Sequence, residues 1–219
     1  MSRFFEQPAS DKIIPLERFR SGKSLSPIRQ AEAYWHALRD GATVPRRSQI
    51  DPRGLENILN YTFVVERIAP GIARFRLAGH HLNELAGMEV RGMPLTCFFT
   101  PAARGQISAV LEHTFDAPSV AELTLKSAAR RGAAPLEARM ILLPLQGEHE
   151  VVDRALGVLI GDGPVGNTPH RFEIGTTSLL PVTGGQKQPV TSAKPTPTPG
   201  FAEPQKPMTA AIPHLRLVT

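Results

Sequence analysis

The sequence predicts an α+β domain: one five-stranded antiparallel sheet with helices gathered on one face. Three observations predict it. Short runs rich in β-branched, aromatic and aliphatic residues recur at Tyr61–Ile68, Ile72–Ala78, Val120–Ser127, Leu136–Leu145 and Val151–Ile160. The links inside the first pair, and inside the last three, are short enough for hairpins. Between the second and third runs the apolar period becomes helical. With 219 residues and 41% apolar content, the chain supports one real core plus tails.

The elements follow in order. Residues 1–23 are polar and mixed, and read as a flexible arm. Residues 24–60 hold a cap helix and a connector. Ser26 followed by Pro27 is a helix start, because proline lacks only an N–H that the first turn leaves unpaired anyway. Ile28, Ala31, Tyr34, Trp35 and Leu38 then form an apolar stripe, and Gly41 is a stop signal. Asp51 caps a short helix from Pro52 that carries Leu55, Ile58 and Leu59. Residues 61–162 form the core.

In the first hairpin, Ala69-Pro70-Gly71 is the turn, and Phe75 and Leu77 alternate with Arg74 and Arg76. From Gly79 to Pro101 short helical turns are broken by Gly87, Gly92 and Pro94. A longer helix from Thr100-Pro101 carries Ile107, Val110, Leu111 and Phe115 and ends at Pro118. In the fourth strand Pro144 predicts an edge or a bulge. Pro181 to Pro207 is rich in Pro, Gly, Thr, Lys and Gln without periodicity, and residues 163–207 read as a Pro-rich, mostly disordered linker. In the tail, residues 208–219, His214 to Val218 alternate again, as a docked strand or a plain end.

Composition excludes some classes. The net charge is +5, but the basic residues are scattered, with tight pairs only at Arg46-Arg47 and Arg130-Arg131. That pattern favours solubility over nucleic-acid binding. One cysteine permits neither an internal disulfide nor a thiolate metal cluster. No run approaches the ~18 apolar residues of a membrane helix. A cytoplasmic location is the expectation.

Two stretches carry a resemblance. Tyr34 to Pro52, "YWHALRDGATVPRRSQIDP", and Ala73 to Leu95, "ARFRLAGHHLNELAGMEVRGMPL", resemble the PAS_5-like single-PAS-domain family of alphaproteobacteria. The family's arginine-x-x-glycine element stands here as Arg76-Leu77-Ala78-Gly79, and its paired glycines as Gly87 and Gly92. The resemblance runs from about Ser26 to Gly161. It implies a PAS fold with an N-terminal helical cap, a ligand cavity, and signalling through protein contacts.

Candidate chemistry is sparse. Cys97 stands near where light-sensing PAS domains carry a flavin-reactive cysteine, but its neighbours Thr96, Phe98 and Phe99 do not supply flavin-holding amides, so a buried small hydrophobe is expected. His113 stands where haem-binding PAS domains carry an axial ligand, yet a solitary histidine on an amphipathic helix does not define a site. His80 and His81 point apart on a helix and have no third ligand nearby. Gly161 to Gly166 is a turn without a following lysine-bearing helix, and Ser21 to Ser24 lacks the upstream glycine of a phosphate loop. No catalytic site, metal or cofactor is expected.

What remains is an apolar interior. A PAS layout would line it with Phe75, Leu77, Leu85, Met88, Leu95, Phe98, Leu111, Phe115, Leu123, Leu125, Met140, Leu142 and Leu159. These residues either enclose a small apolar ligand or simply fill the core. Tyr34, Trp35 and Leu38 either fold back on the sheet or meet a second copy in a homodimer. The function expected is a non-enzymatic sensory module that contacts a signalling partner. A haem or flavin sensor and a DNA-associated regulator are the alternatives.

Overall fold

The computed structural model describes residues 26–39, 44–128 and 135–182. The N-terminal arm, Gly41, the Arg130-Arg131 pair and the His214–Val218 segment lie outside the described residues.

The first helix, α1, spans Pro27–Leu38 with proline in its first turn, and buries Ile28, Ala31 and Trp35. A 3-10 segment follows over Pro52–Tyr61; Asp51 caps it by accepting a 2.9 Å hydrogen bond from the Arg53 N–H. The hairpin strands are β1, Thr62–Ala69, and β2, Ile72–Ala78. A short helix, α2 (His80–Ala86), ends at Gly87, whose φ of 69° is left-handed and suits glycine. A 3-10 turn at Leu95–Phe98 leads to α3, Arg104–Asp116. The helix expected from Thr100-Pro101 starts later, because Thr100 to Ala103 closes a separate turn through Ala103 N–H to Thr100 C=O at 3.0 Å. Then come β3 (Ser119–Ser127), β4 (Glu137–Gln146), β5 (Val152–Asp162) and β6 (Phe172–Pro181).

The sheet has six strands, in the order β2-β1-β5-β4-β3-β6, and every pairing is antiparallel. The five expected strands are all present and share one sheet. The sixth, β6, falls inside the stretch 163–207 that the sequence predicts to be a linker. Its alternation is broken at a bulge: Leu123 faces Thr177 and Leu125 faces Ile174, so two β6 residues, Gly175 and Thr176, oppose Thr124. Thr124 and Thr176 join their hydroxyls there at 2.8 Å. A bulged, Thr- and Ser-rich edge strand carries little period-2 signal.

Both faces of the sheet are covered, which corrects the expectation of helices on one face only. The inner face packs Phe63, Val65, Phe75, Leu123, Met140 and Leu159 against α2, the Leu95–Phe98 turn and α3. On the outer face Val120, Ile141, Leu143, Leu145, Leu156 and Val158 pack against α1 and the Pro52–Tyr61 segment. β4 therefore buries Met140 to Leu145 without interruption, as a strand covered on both sides must. Each fully buried aliphatic side chain contributes about 1.5–3 kcal/mol, so the outer cluster alone makes α1 part of the fold.

Candidate binding site

The interior is occupied by the chain's own side chains. Phe75, Leu85, Leu95, Phe98, Leu111, Phe115, Leu123, Leu125, Met140, Leu142 and Leu159 are all buried in one cluster, as their spacing predicts. Phe63, Phe75 and Phe98 run through it edge to face, with ring centroids 5.4 and 5.6 Å apart. The Phe63 ring also packs against Gly157, where a Cβ would stand only 2.1 Å from its Cζ.

Leu77 and Met88 are not part of this cluster. They are 49% and 53% exposed. The reason at Leu77 is a bulge. Val65 faces Phe75 but Val64 faces Leu77, so Arg76 is an extra residue and Leu77 turns to the outer face. At Met88 the left-handed turn of Gly87 sends the chain away from the core.

The bulge builds a second feature. Leu77 joins Val64 and Leu156 on the outer face, and the Pro52–Tyr61 segment leans over them with Leu55 and Leu59. Together they form an open apolar cleft of about 150 Å³, which Thr62, Ala78, Gly79 and Arg47 also line. Leu59, which lines the cleft, is 39% exposed.

One step further along the same strands the face becomes charged. The Glu66 carboxylate meets Arg154 at 2.9 Å, Arg74 at 3.5 Å, and Arg76. Asp153 touches Arg154 only at 3.6 Å. Arg154 and Arg47 also line a neighbouring concavity of about 500 Å³ with Arg46, Ser48, Gly147, Glu148 and Glu150. Arg46 is paired there with Glu150 at 2.8 Å. Arg47 thus belongs to both hollows.

The architecture agrees with a match along the sequence. The family model for PAS domains of the PAS_5 type matches residues 23–160. The chain belongs to this PAS domain family. No curated protein matches it. The solved structures it is similar to include a light-oxygen-voltage (LOV) protein of Rhodobacter sphaeroides, at 17% identity and a TM-score of 0.38, covering 53% of this chain and 71% of that one. Another is a PAS domain of a protein from Colwellia psychrerythraea, at 12% identity and a TM-score of 0.34, covering 51% of this chain and 96% of that one.

Within this PAS domain the sequence-picked reactive groups stand apart from one another. Cys97 is half-buried on the Leu95–Phe98 turn, and burial pushes its thiol pKa up, against the milder pull of Arg171 and Arg104. A thiol held that way is a poor nucleophile. His113 lies exposed on α3. His80 is exposed and reaches Glu84 at 3.3 Å. His81 is buried under the Tyr61 ring and accepts a 3.2 Å hydrogen bond from the Gly161 N–H at its Nε2. Among the described residues no group of His, Cys, Asp or Glu is placed to hold a metal ion, and no helix is long and apolar enough to cross a membrane.

The three residues picked for an interface are placed differently. Trp35 is fully buried on the outer face of the PAS sheet, so the cap helix folds back and cannot offer its indole to a second copy. Tyr34 is half-buried, donating its hydroxyl to the Asp51 carbonyl at 3.1 Å and accepting from the Asp51 N–H at 2.8 Å. Leu38 is half-buried at the end of α1. The cleft at Leu59 and Leu77 is the feature that sequence reasoning missed. Its signal was the pair Arg76-Leu77, two outward residues in succession, which alternation alone assigns to opposite faces.

Proposed function

We propose that this PAS domain is a non-catalytic signalling module. It contacts a partner protein, forms a homodimer, and has its contact biased by what occupies its apolar surface. One observation carries this reading. The interior is packed with aromatic and aliphatic side chains, while the solvent-facing apolar cleft at Leu59 and Leu77 stands open beside a cluster of arginines. Solvent-facing apolar surface rimmed by polar groups is the mark of a contact site. The homodimer finds its support at the β6 edge, where Leu179 and Leu180 are exposed, rather than at α1.

Native mass spectrometry and a visible absorption spectrum of the freshly purified full chain test the proposal. A dimer mass without a haem or flavin band is the expected result. A haem or flavin band would replace it with a cofactor sensor, and a strictly monomeric mass at micromolar concentration would remove the homodimer.

A further inference from the structure

We infer that the cleft and the arginines beside it form one docking surface for an acidic peptide segment anchored by a single bulky apolar side chain. This deepens the protein-contact reading above and rests on it.

The surface is built by register. β2, β1 and β5 are neighbours, and each places an apolar residue over the cleft and a charged residue one step along the same face. On β5 these are Leu156 and Arg154; on β1, Val64 and Glu66; on β2, across the bulge, Leu77 with Arg76 and Arg74. Arg47 overhangs the junction, lining the apolar cleft and the neighbouring concavity alike. An apolar anchor site and a cationic shelf therefore share an edge.

Charge decides what is wanted on the shelf. Glu66 is the carboxylate against which Arg74, Arg76 and Arg154 are all set, and its side chain is 13% exposed. A guanidinium carries five donors and a carboxylate about four acceptor sites, so Glu66, even with Asp153 3.6 Å from Arg154, cannot satisfy three arginines. The shielded Arg74 Nε has no hydrogen-bond acceptor. Among the described residues no carboxylate is paired with Arg47. The surplus is cationic and hydrogen-bond-donating, which selects carboxylates.

Size decides the rest. At about 150 Å³ the cleft lies below the ~300–1,000 Å³ of a small-molecule pocket, and fits one large side chain. Arg47, Arg74, Arg76 and Arg154 bring four positive charges against the two carboxylates Glu66 and Asp153, so the surplus asks for more than one further carboxylate. A single amphiphilic acid would leave part of that surplus unpaired. A peptide with one Leu, Phe or Trp and two or more neighbouring Asp or Glu would satisfy both halves.

The test is selection of a randomised dodecapeptide phage library on the immobilised full chain, followed by fluorescence anisotropy of the enriched peptides. The expected result is enrichment of sequences with a bulky apolar residue beside acidic ones. Affinity should fall with added salt, and should drop about tenfold or more in each of Leu77→Glu and Arg76→Glu. Both positions are exposed, so unchanged circular dichroism and melting temperature separate lost binding from lost fold. Enriched peptides that bind these variants unchanged would overturn this surface while leaving the protein-contact reading standing. Enrichment of peptides without acidic residues would overturn it as well. So would no enrichment at all, or saturable binding of hexanoate in the cleft without peptide binding.

Discussion

The indole N–H of Trp35 donates to the carbonyl oxygen of Pro144 across 2.8 Å, and this one hydrogen bond explains both residues. Pro144 faces Ala155 on β5, but the pairing of β4 with β3 ends earlier, at Leu142 and Ala121. Proline therefore stands beyond the last β3–β4 pair, and its absent N–H breaks no ladder there. Its carbonyl, which points the same way, is left for the cap helix. The Gln146 N–H, two residues on, donates to the Pro45 carbonyl at 2.9 Å. The cap and its connector thus take up the β4 groups where its pairing with β3 ends.

Trp35→Phe keeps most of the apolar contact but leaves the Pro144 oxygen without a donor. It should cost about 1–3 kcal/mol, the desolvation penalty of one buried acceptor. Trp35→Ala should cost about 3–5 kcal/mol. The urea midpoint followed by circular dichroism reads both, since the chain has a single tryptophan and the variants lack it. In the wild-type chain that tryptophan should emit at short wavelength and shift to the red as the cap releases.

What the sequence made legible is what local periodicity encodes. The Phe75, Met140 and Leu142 alternations and the Pro27 and Asp51 helix starts are strong short-range signals, and each is found in place. Leu77 and β6 were not legible for the same physical reason. A bulge shifts the two-residue period by one, and only the partner strand shows where it occurs. The arginine cluster on Glu66 was hidden more deeply, because Glu66, Arg74 and Arg154 are brought together by strand order alone. The sequence offers two places for Trp35, and its hydrogen bond to Pro144 puts the indole on the sheet.

Gly157 is predicted to be intolerant of any side chain. An added Cβ would lie 2.1 to 2.6 Å from three atoms of the fully buried Phe63 ring, and that ring is held by Phe75. Gly157→Ala should destabilise by about 1–3 kcal/mol through overpacking. Combined with Phe63→Leu, the loss should be smaller than the sum of the two single changes, because the clash partner is gone. A double-mutant cycle of urea midpoints checks this, and additive losses would refute the assigned contact.

The Arg67 guanidinium donates to both oxygens of Asp116, the second at 3.1 Å, and stacks over Phe115 at 5.8 Å. The hydrogen bonds from Arg67 hold the Asp116 carboxyl below its ordinary range. Its folded pKa is depressed, so the contribution is complete above the unfolded value and fades as pH falls through the folded one. Asp116→Asn should therefore lower stability modestly at neutral pH, converge with the wild type in acid below about pH 4, and so flatten the acid limb of the stability curve. Because the carboxylate is solvent-exposed, added salt should shrink the difference.

His81 should make the domain acid-sensitive in a different window. Burial lowers its pKa, outweighing the opposing pull of Glu84, whose carboxylate lies 3.5 Å from Nδ1, while His80 adds a small push in the same direction as burial. The neutral ring accepts from the Gly161 N–H at Nε2, and protonation would turn that acceptor into a donor facing a donor. With the folded pKa below the unfolded value of about 6.5, the unfolded chain binds more protons just below that pH. Stability should then fall as pH drops from 7 through about 6, and level off once the folded chain also protonates. Glutamine can still offer Gly161 an acceptor oxygen without titrating. His81→Gln should keep the fold at neutral pH and reduce the slope of urea midpoint against pH in this window. An unchanged slope would mean that another of the chain's histidines carries the dependence, and that the Nε2 contact to β5 does not couple the start of α2 to proton uptake.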